Sequence, residues 1–328
     1  MAAPNQDQII ATAWEKVIGT KPADNIYTSR ALFYALGESG FKEGADGGRL
    51  IEMPLEYAEN STFRSYDELE TLDTSRINVF DCARYDWKIH AGTVVFSELE
   101  KLRASGDSSK IGDYVEEKLQ NGRDSHIANL NRTLFLDGTG NSSKDMLGLK
   151  ALIPATPTSG TVGQINRASF SFWRSKAATG AKTTSAFDNL RSAMRSVYNQ
   201  CSNGGTEFAP TAAITSRTVF EGFEGLLTPY ERYNKDGKGQ RGATVDFKAD
   251  ALQFKGADVY YDEDCSPSDS VYFVNPKFLK LVYLKGAWMK MYPVVSPANQ
   301  LAAVYKVATM GQLVTNCSRR LGTVYSIT

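Results

Sequence analysis

Apolar positions along the chain change their spacing several times, and each change marks an element. In "QIIATAWEKVIG", Ile9, Ile10, Ala13, Trp14, Val17 and Ile18 recur at helical spacing on one face, and Gly19 stops the run. A second short helix is expected around residues 30–36, before the glycine-rich, charged "GESGFKEGADGG". Period two then takes over. In "RLIEMPLEYA", Ile51, Met53, Leu55 and Tyr57 alternate with Glu52, Pro54 and Glu56. Pro54 has no N–H to give a ladder, so this run reads as an edge strand. The polar "ENSTFRSYDELETLDTS" follows. Alternation resumes in "RINVFDCARYDWKIHAG", with Ile77, Val79, Ala83, Tyr85, Trp87 and Ile89 on one face. Together the runs predict one long β-ribbon with a wide tip. A two-stranded ribbon is marginal alone in water. Its apolar face needs cover from distant parts of the chain or from a second subunit.

The helical period returns near Asp107 and Ser108, two capping candidates. Ile111, Val115, Leu119, His126, Leu130 and Leu134 form a stripe, widened by Tyr114, Ile127 and Phe135. Gly138 suits a left-handed helix end. At 1.5 Å per residue such a helix is roughly 40 Å long, which suits a flat or extended body. A second helix is predicted over 184–203, with Phe187, Leu190, Met194, Val197 and Cys201 on its buried face. "PTAAITS" reads as a buried strand, "RTVFEGFEGLL" as a short helix, and the remaining third as mostly strand.

Composition narrows the function more than it identifies it. Lys plus Arg number 37 and Asp plus Glu number 37, so the net charge is zero. A sequence-reading nucleic-acid binder carries a basic excess. The most apolar run, "VYFVNPKFLKLVYL", is broken by Asn275, Pro276 and lysines, so no membrane span is expected. "MAAPNQDQ" lacks the regions of a signal peptide. Cys82, Cys201, Cys265 and Cys317 form no CxxC pair, and His90 and His126 are the only histidines, so neither a metal site nor a histidine triad is expected.

Three stretches invite chemistry and are read as structure. "FLDGTGNSSKDMLGLKALIP" looks like a phosphate loop, but a helix precedes it, and Lys144 is followed by Asp145, not by a magnesium-binding hydroxyl. Glu59, Asp67, Glu68, Glu70 and Asp73 crowd the ribbon tip, a poor place to hold two carboxylates rigidly across a glycosidic bond. "YYDEDCSPSD" lacks the twelve-residue calcium pattern. No catalytic residue, cofactor or metal is therefore expected, and the chain does not read as an enzyme.

The order of elements, with "LFLDGTGNSSKDMLGLKALI", "VGQINRASFSFWRS" and "GADVYYDEDCSPSDSVYFVNP", resembles the major capsid proteins of tailed bacteriophages. The resemblance implies an α+β, Hong Kong 97-type capsid fold. Its parts would be an N-terminal arm (1–48), an E-loop β-ribbon (49–96), a P-domain (97–207) with a spine helix over 107–137, an A-domain (208–310), and a C-terminal strand (311–328) returning to the P-domain. It implies self-assembly into pentamers and hexamers that tile an icosahedral head around double-stranded DNA, put together in the host cytoplasm. Expected inter-subunit contacts are Tyr57, Phe63, Arg64, Tyr66, Tyr85 and Trp87 in the E-loop and Ile10, Trp14 and Val17 in the arm. Some relatives weld subunits through a lysine in the ribbon tip. Between Glu59 and Ser75 there is none, so that crosslink is not expected. With about fifty residues before the ribbon, too few for a scaffolding domain of ordinary size, the expected partners are a separate scaffolding protein, a portal, and a decoration protein. Contact with packaged DNA would be non-specific, and no membrane is involved. The alternatives are an encapsulin-like nanocompartment shell and, from another class, a soluble carbohydrate-active hydrolase using the acidic clusters.

The charged loop 233–242 is the candidate for the capsomer axis, through Lys235, Asp236, Lys238 and Arg241. Reversing these charges is expected to impair capsomer formation before it harms folding. Sedimentation of the variant beside the parent checks this, and normal assembly would refute the assignment.

Overall fold

The computed structural model describes residue 32 and residues 42–97, 99, 108–180, 189–205, 207–227, 252–296 and 299–327, with backbone alone for 108–116, 293 and 294. The helix expected over Ile9–Ile18, most of the one expected around residues 30–36, and the loop 233–242 lie outside the described residues.

The alternating run at 51–56 forms strand β2 (Ile51–Glu56), after a short β1 (Lys42–Ala45). β2 pairs antiparallel with β3 (Phe80–Tyr85), in the register Ile51 to Tyr85 and Pro54 to Cys82. This is the root of the expected ribbon. The expected single strand through residue 90 is broken at Asp86 and Trp87. Beyond them β4 (Lys88–Ser97) leaves for another sheet and pairs with β14 (Ala302–Thr315), Ile89 opposite Met310. Ile89, expected on the buried face with Tyr85, is accordingly 63% exposed. Alternation fixes which face of a strand is apolar, not which strand lies beside it.

Two sheets carry the body. One has the order β1-β12-β14-β13, with β12 (Leu279–Leu284) and β13 (Lys290–Val295) on β14, and β4 also on β14. Across β4 and β14 lies helix α1 (Ser108–Phe135), whose 28 residues span about 42 Å at 1.5 Å per residue. Its buried His126, Leu130, Leu134 and Phe135 are the C-terminal part of the predicted stripe. Gly138 ends the run at φ +77°, in the left-handed region where glycine carries no Cβ penalty.

The other sheet has the order β7-β15-β11-β8-β10-β9: β7 (Lys176–Thr179), β8 (Ala212–Thr215), β9 (Leu252–Phe254), β10 (Ala257–Tyr261), β11 (Val271–Val274) and β15 (Gly322–Tyr325). Helix α3 (Leu190–Ser202) follows the one-turn α2 (Leu149–Leu152), and α4 (Arg217–Leu227) comes next. Leu190, Met194, Val197 and Cys201 of α3 are buried as expected, but in a cluster with Phe223, Phe254, Phe273 and Val324. The second helix, expected within 97–207 along with the spine helix, packs on the six-stranded sheet, and β15, expected to return to the P-domain, is a strand of that sheet. Conversely β12, β13 and much of β14, expected in the A-domain, lie in the sheet beneath α1. A buried strand looks the same in sequence whichever sheet receives it.

The segment from Thr161 to Ser175 locks the ribbon to the body. Its hairpin, β5 (Thr161–Val162) and β6 (Ile165–Asn166), turns at Gly163 and Gln164, both with φ above +60° or at it within a few degrees. Gly163 O accepts from Arg84 N–H of β3 at 3.0 Å, and a Cβ on Gly163 would sit 3.0 Å from both Ala83 Cβ and Tyr85 Cζ. Trp173, 1% exposed, donates its indole N–H to Val162 O at 2.9 Å. Arg167, 2% exposed, donates to Ala151 O at 3.1 Å and to Leu152 O, the final carbonyls of α2. Burial holds its guanidinium below the ordinary range, at about 10, still charged at neutral pH.

Replacing Arg167 with Met leaves those carbonyls without donors. The subunit is expected to lose about 2–6 kcal/mol of stability, from two acceptors stranded at about 1–3 kcal/mol each. Urea unfolding of the variant beside the parent checks it, and a loss within experimental scatter would refute it.

Candidate assembly surface

Between β2 and β3 the chain makes a 23-residue excursion, 57–79, whose polar residues and single apolar side chains have no period to fold on. It is nonetheless ordered by its own bonds. Tyr66 O–H donates to Thr62 O at 2.8 Å and accepts from Asp73 N–H at 3.2 Å. Arg64 Nη2 lies 2.8 Å from Glu70 Oε1, and its guanidinium carbon 4.8 Å above the Tyr66 ring. Glu70 also accepts from Asp67 N–H, and Asp73 accepts from the hydroxyl and N–H of Ser75. Those two bonds hold the Asp73 carboxyl below its ordinary range. The acidic residues of the tip thus shape the loop.

This framework presents apolar side chains to solvent. Phe63 is 84% exposed, Leu69 97% and Leu72 65%. Phe80, where the ribbon begins, is 66% exposed. Sequence reasoning named Phe63 but missed both leucines and Phe80. Each leucine stands alone among polar residues, and Phe80 follows the alternating Ile77 and Val79 out of register with them.

The other expected E-loop contacts divide by position. Arg64 and Tyr66 brace the tip from inside. Tyr57 stacks on Phe172 of the same chain, ring centroids 5.4 Å apart. Trp87 donates its indole N–H to Gly48 O at 2.9 Å. Tyr85 is a correction: it is 2% exposed and packs inside its own subunit. Its hydroxyl donates to Thr315 O at 2.9 Å, and burial raises its pKa well above the phenol range. It lies on the inner face of the ribbon, which the hairpin at Gly163 already covers. Ile10, Trp14 and Val17 in the arm, and Lys235, Asp236, Lys238 and Arg241 in the axial loop, lie outside the described residues.

Chemistry suggested elsewhere resolves into structure. In the glycine-rich turn after α1, Thr139 N–H goes to Asp137 Oδ1, Ser143 N–H to Thr139 O and Lys144 N–H to Gly140 O. Three of the turn's backbone donors are thus taken up within the turn itself. Asp145 accepts from Asn141 Nδ2 at 2.8 Å. In the acidic turn, Asp262 is fully buried and accepts from Leu32 N–H, Asp264 N–H and Asn131 Nδ2. That carboxylate ties Leu32 of the arm to α1, and burial raises its pKa. Burial pushes the Cys201 thiol up to about 12 and raises those of Cys265 and Cys317, so none is a ready nucleophile at neutral pH. Among the described residues no group of three metal-ligating side chains converges. No described helix is long and apolar enough to cross a membrane.

No protein-family model matches the chain, and no curated protein matches it in sequence. Solved structures do match in shape. The capsid subunit of cyanophage A-1(L) superposes with a TM-score of 0.68 at 16% identity, over 97% of this chain and 99% of that one. The capsid subunit of the native GTA particle superposes at 0.57 and 13%, over 99% and 100%. The SrpI encapsulin of Synechococcus elongatus superposes at 0.61 and 9%, over 100% and 96%. Agreement over 97–99% of the chain makes this the Hong Kong 97-type capsid fold.

Proposed function

We propose that the chain is the major capsid protein of a tailed bacteriophage. It assembles through pentamers and hexamers into the icosahedral shell that encloses double-stranded DNA. The observation that carries this reading is the braced ribbon tip, with Phe63, Leu69 and Leu72 held out in solvent on a fold shared end to end with shell subunits. Several large apolar side chains left in solvent on one braced loop mark it as an interaction site. A second copy, in a closed lattice of like subunits, gives each tip a place to bury it. Each tip lies across a neighbouring copy, and the arm adds a second contact of the same kind. The chain's role is structural, with no catalysis of its own. A separate scaffolding protein, a portal and a decoration protein are the partners this reading brings. Contact with packaged DNA is non-specific, in keeping with the zero net charge. The encapsulin-like shell is the second reading, favoured by the full-length likeness to an encapsulin.

Electron microscopy of the purified chain is expected to show shells or flat capsomers; a small monodisperse monomer would overturn both readings. Shells from the native source separate them, through nuclease-protected DNA on the first reading and a cargo protein on the second. Deleting residues 60–74, or changing Phe63 and Leu69 together to Asp, is expected to leave a folded, soluble subunit that forms no shells. Unfolding curves and sedimentation measure the two properties separately, and intact shells from either variant would sink the claim for the tip.

A further inference from the structure

The only two histidines in the sequence touch each other. His90 on β4 and His126 on α1 stand with ring centroids 4.7 Å apart. His126 is 5% exposed, and its Nε2 lies 2.9 Å from Thr309 Oγ1 on β14. Thr309 Oγ1 accepts Met289 N–H at 3.2 Å, which leaves its own hydroxyl proton to donate to an unprotonated Nε2. His90 is paired with Thr309 in the β4–β14 ladder, so the three side chains meet on one face of the sheet. Close by, a Cβ on Gly122 of α1 would come 2.4 Å from Val94 Cγ2 of β4, so helix and strand are in tight contact here.

Both imidazoles line a polar cavity of about 840 Å³ between α1, β4 and the turn 140–145. Water and protons therefore reach a pair that is otherwise packed. The charged groups facing it are Lys118 from α1, and Lys144 and Asp145 from the turn. Lys88 shares the His90 face of β4 and donates to Ser143 O at 2.6 Å. β14 presents only the Thr309 hydroxyl. Three lysines stand against one carboxylate, and Asp145 already accepts from Asn141.

We propose that the His90–His126 contact is an acid-sensitive latch that holds β4, and through it the base of the E-loop, against the spine helix. Protonation places two like charges in contact and removes the acceptor that Thr309 O–H uses. β4 is then free to shift along or away from α1. The inference rests on the geometry of the single subunit and stands apart from what the assembled shell encloses.

The direction with pH follows from linkage. Burial, and then the neighbouring His90, lower His126 from 6.5 to about 4. Burial lowers His90 too, with Asp145 opposing. A depressed histidine stabilises the contact fully above 6.5, and the stabilisation drains away as pH falls towards about 4. Each protonating site makes local opening up to about tenfold easier per pH unit within that window.

Hydrogen exchange of the full chain tests this, with labelling times corrected for the intrinsic rate. Amides of Lys88–Ser97 are expected to lose protection from the top to the foot of the window, while β8 and β11 keep theirs. The double variant His90→Gln, His126→Gln is expected to remove that pH dependence. Flat protection in the parent, or the same loss in the variant, would overturn the latch. If the double variant does not fold, imidazole proton resonances of the parent decide alone. Both histidines should titrate below 6.5, and a midpoint at or above 6.5 for either overturns the proposal. His90→Gln alone should move the His126 midpoint upward by removing a like charge; an unmoved midpoint counts against the pair.

Discussion

The ribbon root depends on one buried tyrosine. Tyr85 sits where β3 ends, its ring against Gly163 of the hairpin and its hydroxyl on the backbone of Thr315 at the end of β14. Three segments far apart in sequence thus meet at one side chain. Without that anchorage β2 and β3 would be an isolated pair of short strands, which water does not sustain. With it, the ribbon is a lever fixed at its root, and the tip beyond residue 57 is held out from the body at little further cost.

The same constraint explains why β14 is so long. Its 14 residues pair with β12 and β13 and, along most of their length, with β4. The strand that leaves the ribbon is therefore bound to the strand that receives the Tyr85 bond. α1 then lies across both, so the spine helix and the ribbon root share one foundation. The ribbon's Ile51, Leu55, Ala83 and Tyr85 share one buried cluster with side chains of both sheets, while a second cluster around α3 covers the far face of the six-stranded one. The two buried clusters meet along Ala212, Ala213 and Ile214, where alternate residues of β8 face each.

Periodicity made the elements legible and left their partners hidden. The stripe through Leu130 and Leu134 and the face of Leu190, Met194, Val197 and Cys201 were readable because a helix repeats its own geometry. The assignment of α3, β12 and β15 to sheets was not, since a buried strand carries no mark of its neighbour. Tyr85 shows the same limit at one residue: its place on the apolar face was clear, but a contact between positions 230 apart leaves no local trace. At the tip, aromatic residues drew attention because they are large, while Leu69 and Leu72 passed as loop. The histidines were counted as too few for chemistry, and their pairing across β4 and α1 became visible only in three dimensions.

A subunit that exposes apolar side chains must still remain soluble before it meets its neighbours. The tip manages this by its company. Phe63, Leu69 and Leu72 are separated in sequence by charged and hydroxyl side chains, in a loop braced by the Arg64–Glu70 and Tyr66 bonds. Burying each stabilises a contact by about 1.5–3 kcal/mol at most, and much of that is offset by the freedom lost on association. A single tip contact is therefore weak. Weak contacts of this kind can open and re-form while subunits are being added, and become permanent only when each copy is held by several neighbours at once. Rigidity at the root and modest strength at the tip are complementary properties: the first fixes where a neighbour must sit, and the second lets a misplaced one leave.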